Sequence, residues 1–208
     1  DAVWTGNSIL AGRTGQQVAA ECVTIVDDPT MAGYYGSYRY DSQGVPARRR
    51  VIVKNGVLET FLNDLESAGR LGLEPNGAGR AEDYGSVPVV RMSNTFMERG
   101  TTPVEELFAG IDRGIYLKDG HWGYVFVQKG QFTCHAGQGQ EIIDGKLGEP
   151  LRDVSISGMT LDTLKHVDAV GNDFEMDMPG MCGKNGQSIP TDAGGPHVRV
   201  RKVVVGGR

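Results

Sequence analysis

Arg48-Arg49-Arg50-Val51-Ile52-Val53-Lys54-Asn55-Gly56-Val57-Leu58-Glu59-Thr60-Phe61-Leu62 is the stretch that decides the architecture of this chain. Two β-rich runs meet at Asn55-Gly56, the dipeptide that best tolerates the two positive φ angles of a type I′ turn, so the stretch predicts a β-hairpin. Side chains alternate between the faces of a strand, and Arg48, Arg49 and Arg50 at its start read as solvated strand arginines rather than a nucleic-acid patch. Just downstream, Asn63 to Leu71 carries Leu65, Ala68 and Leu71 on one face and stops at Gly72, the signature of a short amphipathic helix. Upstream, Val18 to Val26 reads as a mostly apolar strand ending at the Asp27-Asp28-Pro29 turn, which places Cys22 in mid-strand as a packed structural thiol. Tyr34, Tyr35, Tyr38 and Tyr40 suit either an edge strand or a stacking surface.

Short elements continue in both directions. Pro75 to Arg80 is a glycine-rich loop without the lysine and serine or threonine of a nucleotide-binding loop. Val87 to Phe96 predicts a strand. Thr102-Pro103-Val104-Glu105 combines an N-cap threonine, a first-turn proline and a glutamate, opening a helix with Leu107, Phe108 and Ile111 toward the core. Ile115 to Leu117, Tyr124 to Gln128, Gln131 to His135 and Gln140 to Ile143 read as four short strands, with turns at Lys129-Gly130 and Asp144-Gly145. Thr160 to Val167 predicts a second helix and Val198 to Val205 a long alternating strand. Many short strands with a few capped helices define an α+β domain, β-rich, with antiparallel or mixed sheets.

At 208 residues the chain can sustain a core as one unit, 1–208, without disulfides. Cys22, Cys134 and Cys182 are odd in number and irregularly spaced, which points to a reducing, cytoplasmic compartment. A formal charge of −5 gives no basic field for phosphate backbones, and no apolar run is long enough to span a membrane, so neither nucleic acid nor membrane is an expected partner. The chain opens on Asp1-Ala2-Val3-Trp4, without an initiating methionine or a signal peptide, as a trimmed or processed product would.

Chemistry gathers at Gly180-Met181-Cys182-Gly183-Lys184-Asn185-Gly186-Gln187-Ser188-Ile189-Pro190, read as a turn with Cys182 at its apex. Gly180, Gly183 and Gly186 give it access to positive φ and close ligand approach. Cys182 is a soft nucleophile or metal ligand by type, although a lone cysteine also serves as a small buried hydrophobe. No H-E-x-x-H, G-x-S-x-G or dinucleotide fingerprint occurs. His121, His135, His166 and His197 are scattered, and the adjacent Cys134 and His135 point to opposite strand faces. A nucleophilic pair of Cys182 with His197 or His135 is not selected by anything in the sequence. The carboxylate pairs Asp27-Asp28 and Glu105-Glu106 read as structural, and no catalytic residue is assigned.

Taken together, Val26-Asp27-Asp28-Pro29-Thr30-Met31, Asp41 to Arg49, Lys54 to Leu58, Asn76-Gly77-Ala78-Gly79-Arg80 and Arg91-Met92-Ser93-Asn94-Thr95 resemble the second half of the TldD/PmbA family, the modulators of DNA gyrase. Gly114-Ile115-Tyr116, Val170 to Asp173, Met181 to Pro190 and Val205-Gly206-Gly207 extend the resemblance, in order, over nearly the whole chain. It implies a cytoplasmic zinc metallopeptidase of the TldD branch that acts on unfolded or small peptides and assembles as a homo- or hetero-dimer. It also implies that Cys182 is a zinc ligand and that Gly183, Gln187 and Ser188 line the substrate wall. The family's two histidines and base glutamate, on an H-E-x-x-x-H helix, are expected upstream of the segment matching Trp4 to Gly15, together with an N-terminal domain. On that expectation this chain is the C-terminal domain with one of three metal ligands, and it is inactive and zinc-free alone. A non-catalytic peptide-binding or assembly subunit of the same family is the alternative. Thr133-Cys134-His135-Ala136-Gly137 departs from the family pattern and receives no role.

Overall fold

The structure, a computed structural model, describes residues 2–207 apart from residue 177, and the side chain of His121 also lies outside what it describes. In the first half the strands are β1 (Ile25–Asp27), β2 (Arg50–Lys54), β3 (Val57–Leu58), β4 (Gly79–Arg80), β5 (Val89–Val90) and β6 (Asn94–Met97), with helix α1 (Leu65–Leu71) after β3. Then come β7 (Arg113–Phe126), β8 (Gln131–Ile143), β9 (Lys146–Leu151), β10 (Ser155–Met159), helix α2 (Thr160–Lys165) and β11 (Val167–Val170). The chain finishes with β12 (Glu175–Met176), β13 (Gly180–Lys184), β14 (Gln187–Gly195), β15 (Val198–Val200) and β16 (Val204–Gly206). This is the expected α+β, β-rich fold.

Among the described residues, seven strands form the main sheet in the order β12-β14-β6-β1-β2-β3, with β13 paired to β14. A second sheet runs β16-β10-β8-β7 with β9 on β8, and β11-β15 and β4-β5 are small pairs. The β2–β3 hairpin closes at Asn55 (φ 48°) and Gly56 (φ 80°), as the type I′ reading requires. A β-carbon on Gly56 would lie 2.4 Å from the Ala19 carbonyl oxygen, so glycine is required there twice over.

The stretch before β1 corrects the strand expected over Val18 to Val26. Val18, Ala19 and Val23 are buried against Val53, Leu58, Val167 and Val170, but as a loop. The N–H groups of Val18 and Ala19 donate to the Gly56 carbonyl and that of Gly56 to Val23, so the hairpin turn, not a neighbouring strand, satisfies them. Cys22 is accordingly exposed as a residue rather than packed in mid-strand, with Sγ 3.7 Å from the Val167 carbonyl oxygen. Tyr34 and Tyr35 likewise sit in loop, as does Tyr38, whereas Tyr40 bridges to Pro46.

Five other expectations shift. The strand expected over Val87 to Phe96 is broken into β5 and β6 around Arg91. The helix expected after Thr102 is one 3-10 turn, Val104–Leu107, with no side-chain cap, because the backbone of Thr102 pairs with the Val170–Asn172 segment instead. The four short strands between Ile115 and Ile143 are one long hairpin, β7–β8, and Val198 to Val205 divides between two sheets as β15 and β16. In α1 the Asp64–Ser67 capping box and Gly72 at φ 66° match the predicted ends, but only Ala68 of the expected apolar face is buried and Leu65 is exposed.

Arg50 overturns the reading of three solvated arginines. Its side chain is 1% exposed and ion-paired with Asp27, which is fully buried. Asp27 also accepts from Ser93 N–H (2.7 Å), Ser93 Oγ (2.6 Å) and Thr95 Oγ1 (2.7 Å), while Arg50 Nη1 donates to the carbonyls of Asn76 (3.0 Å) and Gly77 (2.8 Å). The arginine thereby stitches β1, β6 and the glycine-rich loop, which is itself latched by reciprocal bonds in which each of Asn63 and Asn76 accepts the other's backbone N–H (2.7 and 2.9 Å). Parallel pairing of β14 with β6, Asp192 opposite Asn94, carries the C-terminal β13–β14 hairpin onto this layer.

Candidate functional site

Cys182 sits mid-strand in β13, opposite Ile189 of β14, and not at the apex expected for it. The apex is Asn185-Gly186, with φ of 53° and 74°, and of Gly180, Gly183 and Gly186 only the last uses a positive φ. Opposed residues of an antiparallel pair share a face, so Cys182 and Ile189 lie with Lys184 and Gln187, while Gly183 and Ser188 form a pair on the other face. The four predicted site residues therefore divide: Cys182 with Gln187, and Gly183 with Ser188. Ile189 is buried, Cys182 half-buried and Gly183 exposed.

Three cations and one amide fasten the hairpin to residues 80–92. Arg91, 2% exposed, donates from Nη2 to the Cys182 carbonyl in a short hydrogen bond and to the Gln187 carbonyl at 3.5 Å, so it grips both strands. Arg80 Nη1 donates to the carbonyls of Met92 (2.7 Å) and Pro190 (2.8 Å), and its guanidinium lies over the Tyr38 ring. Lys184 Nζ donates to the Val90 carbonyl at 3.2 Å. Gln187 spends its side-chain amide on the same loop, accepting from Glu82 N–H (3.0 Å) and donating to the Val87 carbonyl (2.9 Å).

These cations are partly withdrawn from water. Burial, reinforced by the nearby Arg91 charge, pulls the Lys184 ammonium below its usual range. Burial likewise lowers Arg80, against the opposing influence of Tyr38 and Asp27. On the other face Tyr35 reaches Met181, its hydroxyl 3.8 Å from the sulfur, and its N–H faces Asp192 at 3.4 Å. Asn94 completes the support, accepting from Gly36 N–H (2.9 Å) and donating to the Asp28 carbonyl (2.7 Å).

The three described histidine side chains serve elsewhere. His197 Nδ1 is 2.7 Å from Asp173 and its Nε2 2.9 Å from the Tyr116 hydroxyl. His135 stacks on Trp122, and His166 turns back to the Asp162 carbonyl. No three His, Cys, Asp or Glu side chains converge on a metal-sized site among the described residues. Arg91, Arg80 and Lys184 received no role from the sequence. The one available signal was a charge, Arg91, inside the otherwise apolar Val87-Pro88-Val89-Val90-Arg91-Met92 run, where an exposed strand position would explain it equally well.

A cleft of about 530 Å³ is lined among others by Met31, Tyr38, Arg39, Tyr40 and Pro46. No helix among the described residues is long and apolar enough to cross a membrane.

Residues 1–207 match the family described as the PmbA/TldA metallopeptidase C-terminal domain. A Methanothermobacter thermautotrophicus protein named Metalloprotease is 49% identical over 207 residues, covering 100% of this chain and 45% of that protein. A Saccharolobus solfataricus protein named Zinc metalloprotease TldD homolog is 36% identical over 204 residues, covering 98% of this chain and 46% of its own. A solved Thermotoga maritima structure, described as a candidate modulator of a DNA gyrase, superposes with a TM-score of 0.80 at 29% identity, over 99% of this chain and 44% of that one. The chain thus spans less than half the length of these relatives.

Proposed function

The chain belongs to the PmbA/TldA metallopeptidase C-terminal domain family, and from that premise we propose that its β13–β14 hairpin furnishes Cys182 as one zinc ligand of a peptidase acting on unfolded or small peptides. The observation that carries the reading is the fixation of Cys182. Its strand is paired to β14 and its carbonyl is gripped by a buried guanidinium, so the thiol is presented from rigid backbone.

The thiol suits zinc by type, since thiolate sulfur is one of the metal's preferred donors, and its half-buried position leaves it approachable. One thiolate does not make a site, and the remaining ligands are proposed to come from the longer protein. Zinc, when bound, supplies Lewis acidity toward a scissile carbonyl. This chain's own part is to orient the thiol and, with Ile189 on the same face of the hairpin, to exclude water from it. On this reading the 208-residue chain alone is without peptidase activity, and the active assembly is a dimer.

Zinc per protomer in the full-length gene product, measured beside Cys182→Ala, tests the proposal. Near-stoichiometric metal that falls several-fold in the variant is expected. Equal zinc in both proteins, or none in either after purification with added metal, would remove Cys182 from the site.

A further inference from the structure

We propose that Arg91 is a carboxylate anchor at the Cys182 hairpin, so that the site takes peptides through an anionic group. The inference deepens the peptidase reading above and rests on it.

Arg91 is set in place by its backbone, whose N–H donates to the Ala78 carbonyl at 2.9 Å between β5 and β6. Its side chain is almost wholly enclosed, and of its nitrogens only Nη2 has partners, the carbonyls of Cys182 and Gln187. Nε and Nη1 are buried without a hydrogen-bond partner among the described residues. A guanidinium taken out of water is strongly disfavoured unless a negative group and hydrogen bonds compensate it.

The surroundings do not compensate it. Arg80, close enough for the two charges to repel, is bonded to carbonyls only. Of the buried acids, Asp27 is committed to Arg50, Ser93 and Thr95, Asp28 accepts from Thr30, Asp41 accepts from the N–H groups of Gln43, Val45 and Gly79, Asp64 caps α1 and Asp192 accepts from Ala193 N–H, and none of them is ion-paired with Arg91. Arg50 also leaves its Nε unpartnered, but it holds the Asp27 carboxylate, whereas Arg91 forms an ion pair with no described residue. Positive charge is thus stored directly behind the cysteine strand, and a carboxylate is the ligand that matches it.

Two carboxylates of a peptide could fill the role, the chain terminus and an acidic side chain. Because Nε and Nη1 are closed off in this conformation, binding goes with a shift of the hairpin tip that leaves the Nη2 bond to the Cys182 carbonyl in place. The exposed tip, Asn185-Gly186, and the Gln187 contacts to residues 82 and 87 are the parts that would yield.

The test is fluorescence-anisotropy titration of full-length protein with three labelled pentapeptides: Ala-Ala-Phe-Ala-Ala as the free acid, the same peptide as its C-terminal amide, and Ala-Ala-Glu-Ala-Ala as the amide. Each is titrated against the wild type, Arg91→Met and Arg91→Lys. We expect the wild type to bind at least one carboxylate-bearing peptide roughly 10- to 100-fold more tightly than the phenylalanine amide, the worth of a charge-assisted hydrogen bond. Which of the two it prefers identifies the source of the carboxylate. Arg91→Met should level the three affinities, with Arg91→Lys recovering part of the difference, while thermal unfolding shows both variants folded. Equal binding of all three peptides by the wild type overturns the anchor but leaves the peptide site standing. Discrimination that survives in a folded Arg91→Met also overturns it. Failure of every peptide to bind the wild type overturns both readings. If Arg91→Met does not fold, Arg91→Lys decides: unchanged discrimination with weakened stability would mark Arg91 as structural only.

Discussion

Arg50 and Asp27 face one another as an ion pair from which water is excluded, the side chains being 1% and 0% exposed. Burying such a pair gains little net stability over an apolar pair of the same shape, yet removing one member strands the other. Asp27→Ala is therefore expected to cost about 3–5 kcal/mol, since Arg50, Ser93 and Thr95 all lose their acceptor. The joint replacement Asp27→Leu with Arg50→Met should cost clearly less than the sum of the single changes. Urea unfolding of the wild type, Asp27→Ala, Asp27→Leu, Arg50→Met and the double variant checks this, and additive losses in the double variant would contradict it.

The Asn63–Asn76 latch makes a second prediction. In Asn76→Ala the buried N–H of Asn63 loses its acceptor and the Phe61 carbonyl loses its donor. The expected loss is about 1–3 kcal/mol per orphaned group. Hydrogen exchange should show it first, as faster exchange confined to residues 61–79, before any change in the midpoint of global unfolding.

Acid should weaken the contact between β11 and β15. Asp168 receives Arg199 and Arg201, with Nε–O distances of 2.8 and 2.7 Å. Burial alone would raise its carboxyl, but the two guanidinium groups outweigh burial and hold it below the ordinary carboxylate range. Because the folded-state value is the depressed one, the stabilisation is complete above the unfolded value of about 3.9 and disappears as pH falls from there through the folded value. Asp168→Asn should be less stable at neutral pH by about 1–3 kcal/mol and converge with the wild type in strong acid. Parallel pH-stability curves for the two proteins would refute this.

Cys22 is predicted to be a slow thiol despite its surface position. Burial of the sulfur raises its pKa, with the Asp168 charge adding to the shift and a backbone hydrogen bond opposing it. Alkylation by iodoacetamide at pH 7 should run slower at Cys22 than at an unfolded-state cysteine and accelerate as pH rises above 9. Reaction at the unfolded-state rate would show that Sγ is not held against Val167.

How far these features could be read in advance depends on how local their cause is. The Asn55-Gly56 hairpin, the Gly72 stop of α1 and the turns at Gly130 and Gly145 rest on dihedral preferences that neighbouring residues carry themselves. Val18 to Val23 shows the limit: burial was legible, but whether those backbone groups paired with a strand or a turn depended on Gly56, more than thirty residues away. Cys182 was singled out by type and by resemblance, yet its mid-strand position follows from pairing with Ile189. The guanidinium behind it comes from a segment some ninety residues earlier, a contact that no periodicity encodes. Arg50 looked like one of three surface arginines because its partner, Asp27, belongs to another strand.

The parallel seam between β6 and β14 places a demand on how the protein is made. Strands β1, β2, β3 and β6 lie within the first hundred residues, but β14 reaches β6 only after residue 187 has been added. Until then a nascent chain carries β6 with one flank open, and the intervening long hairpin must find its own partners meanwhile. Seams between segments so distant in sequence form slowly, and an open flank can capture another copy's strand before the native one arrives. The vulnerable interval therefore runs from the synthesis of β6 to that of β14, and a chaperone that shields the nascent polypeptide during it should raise the yield of folded protein.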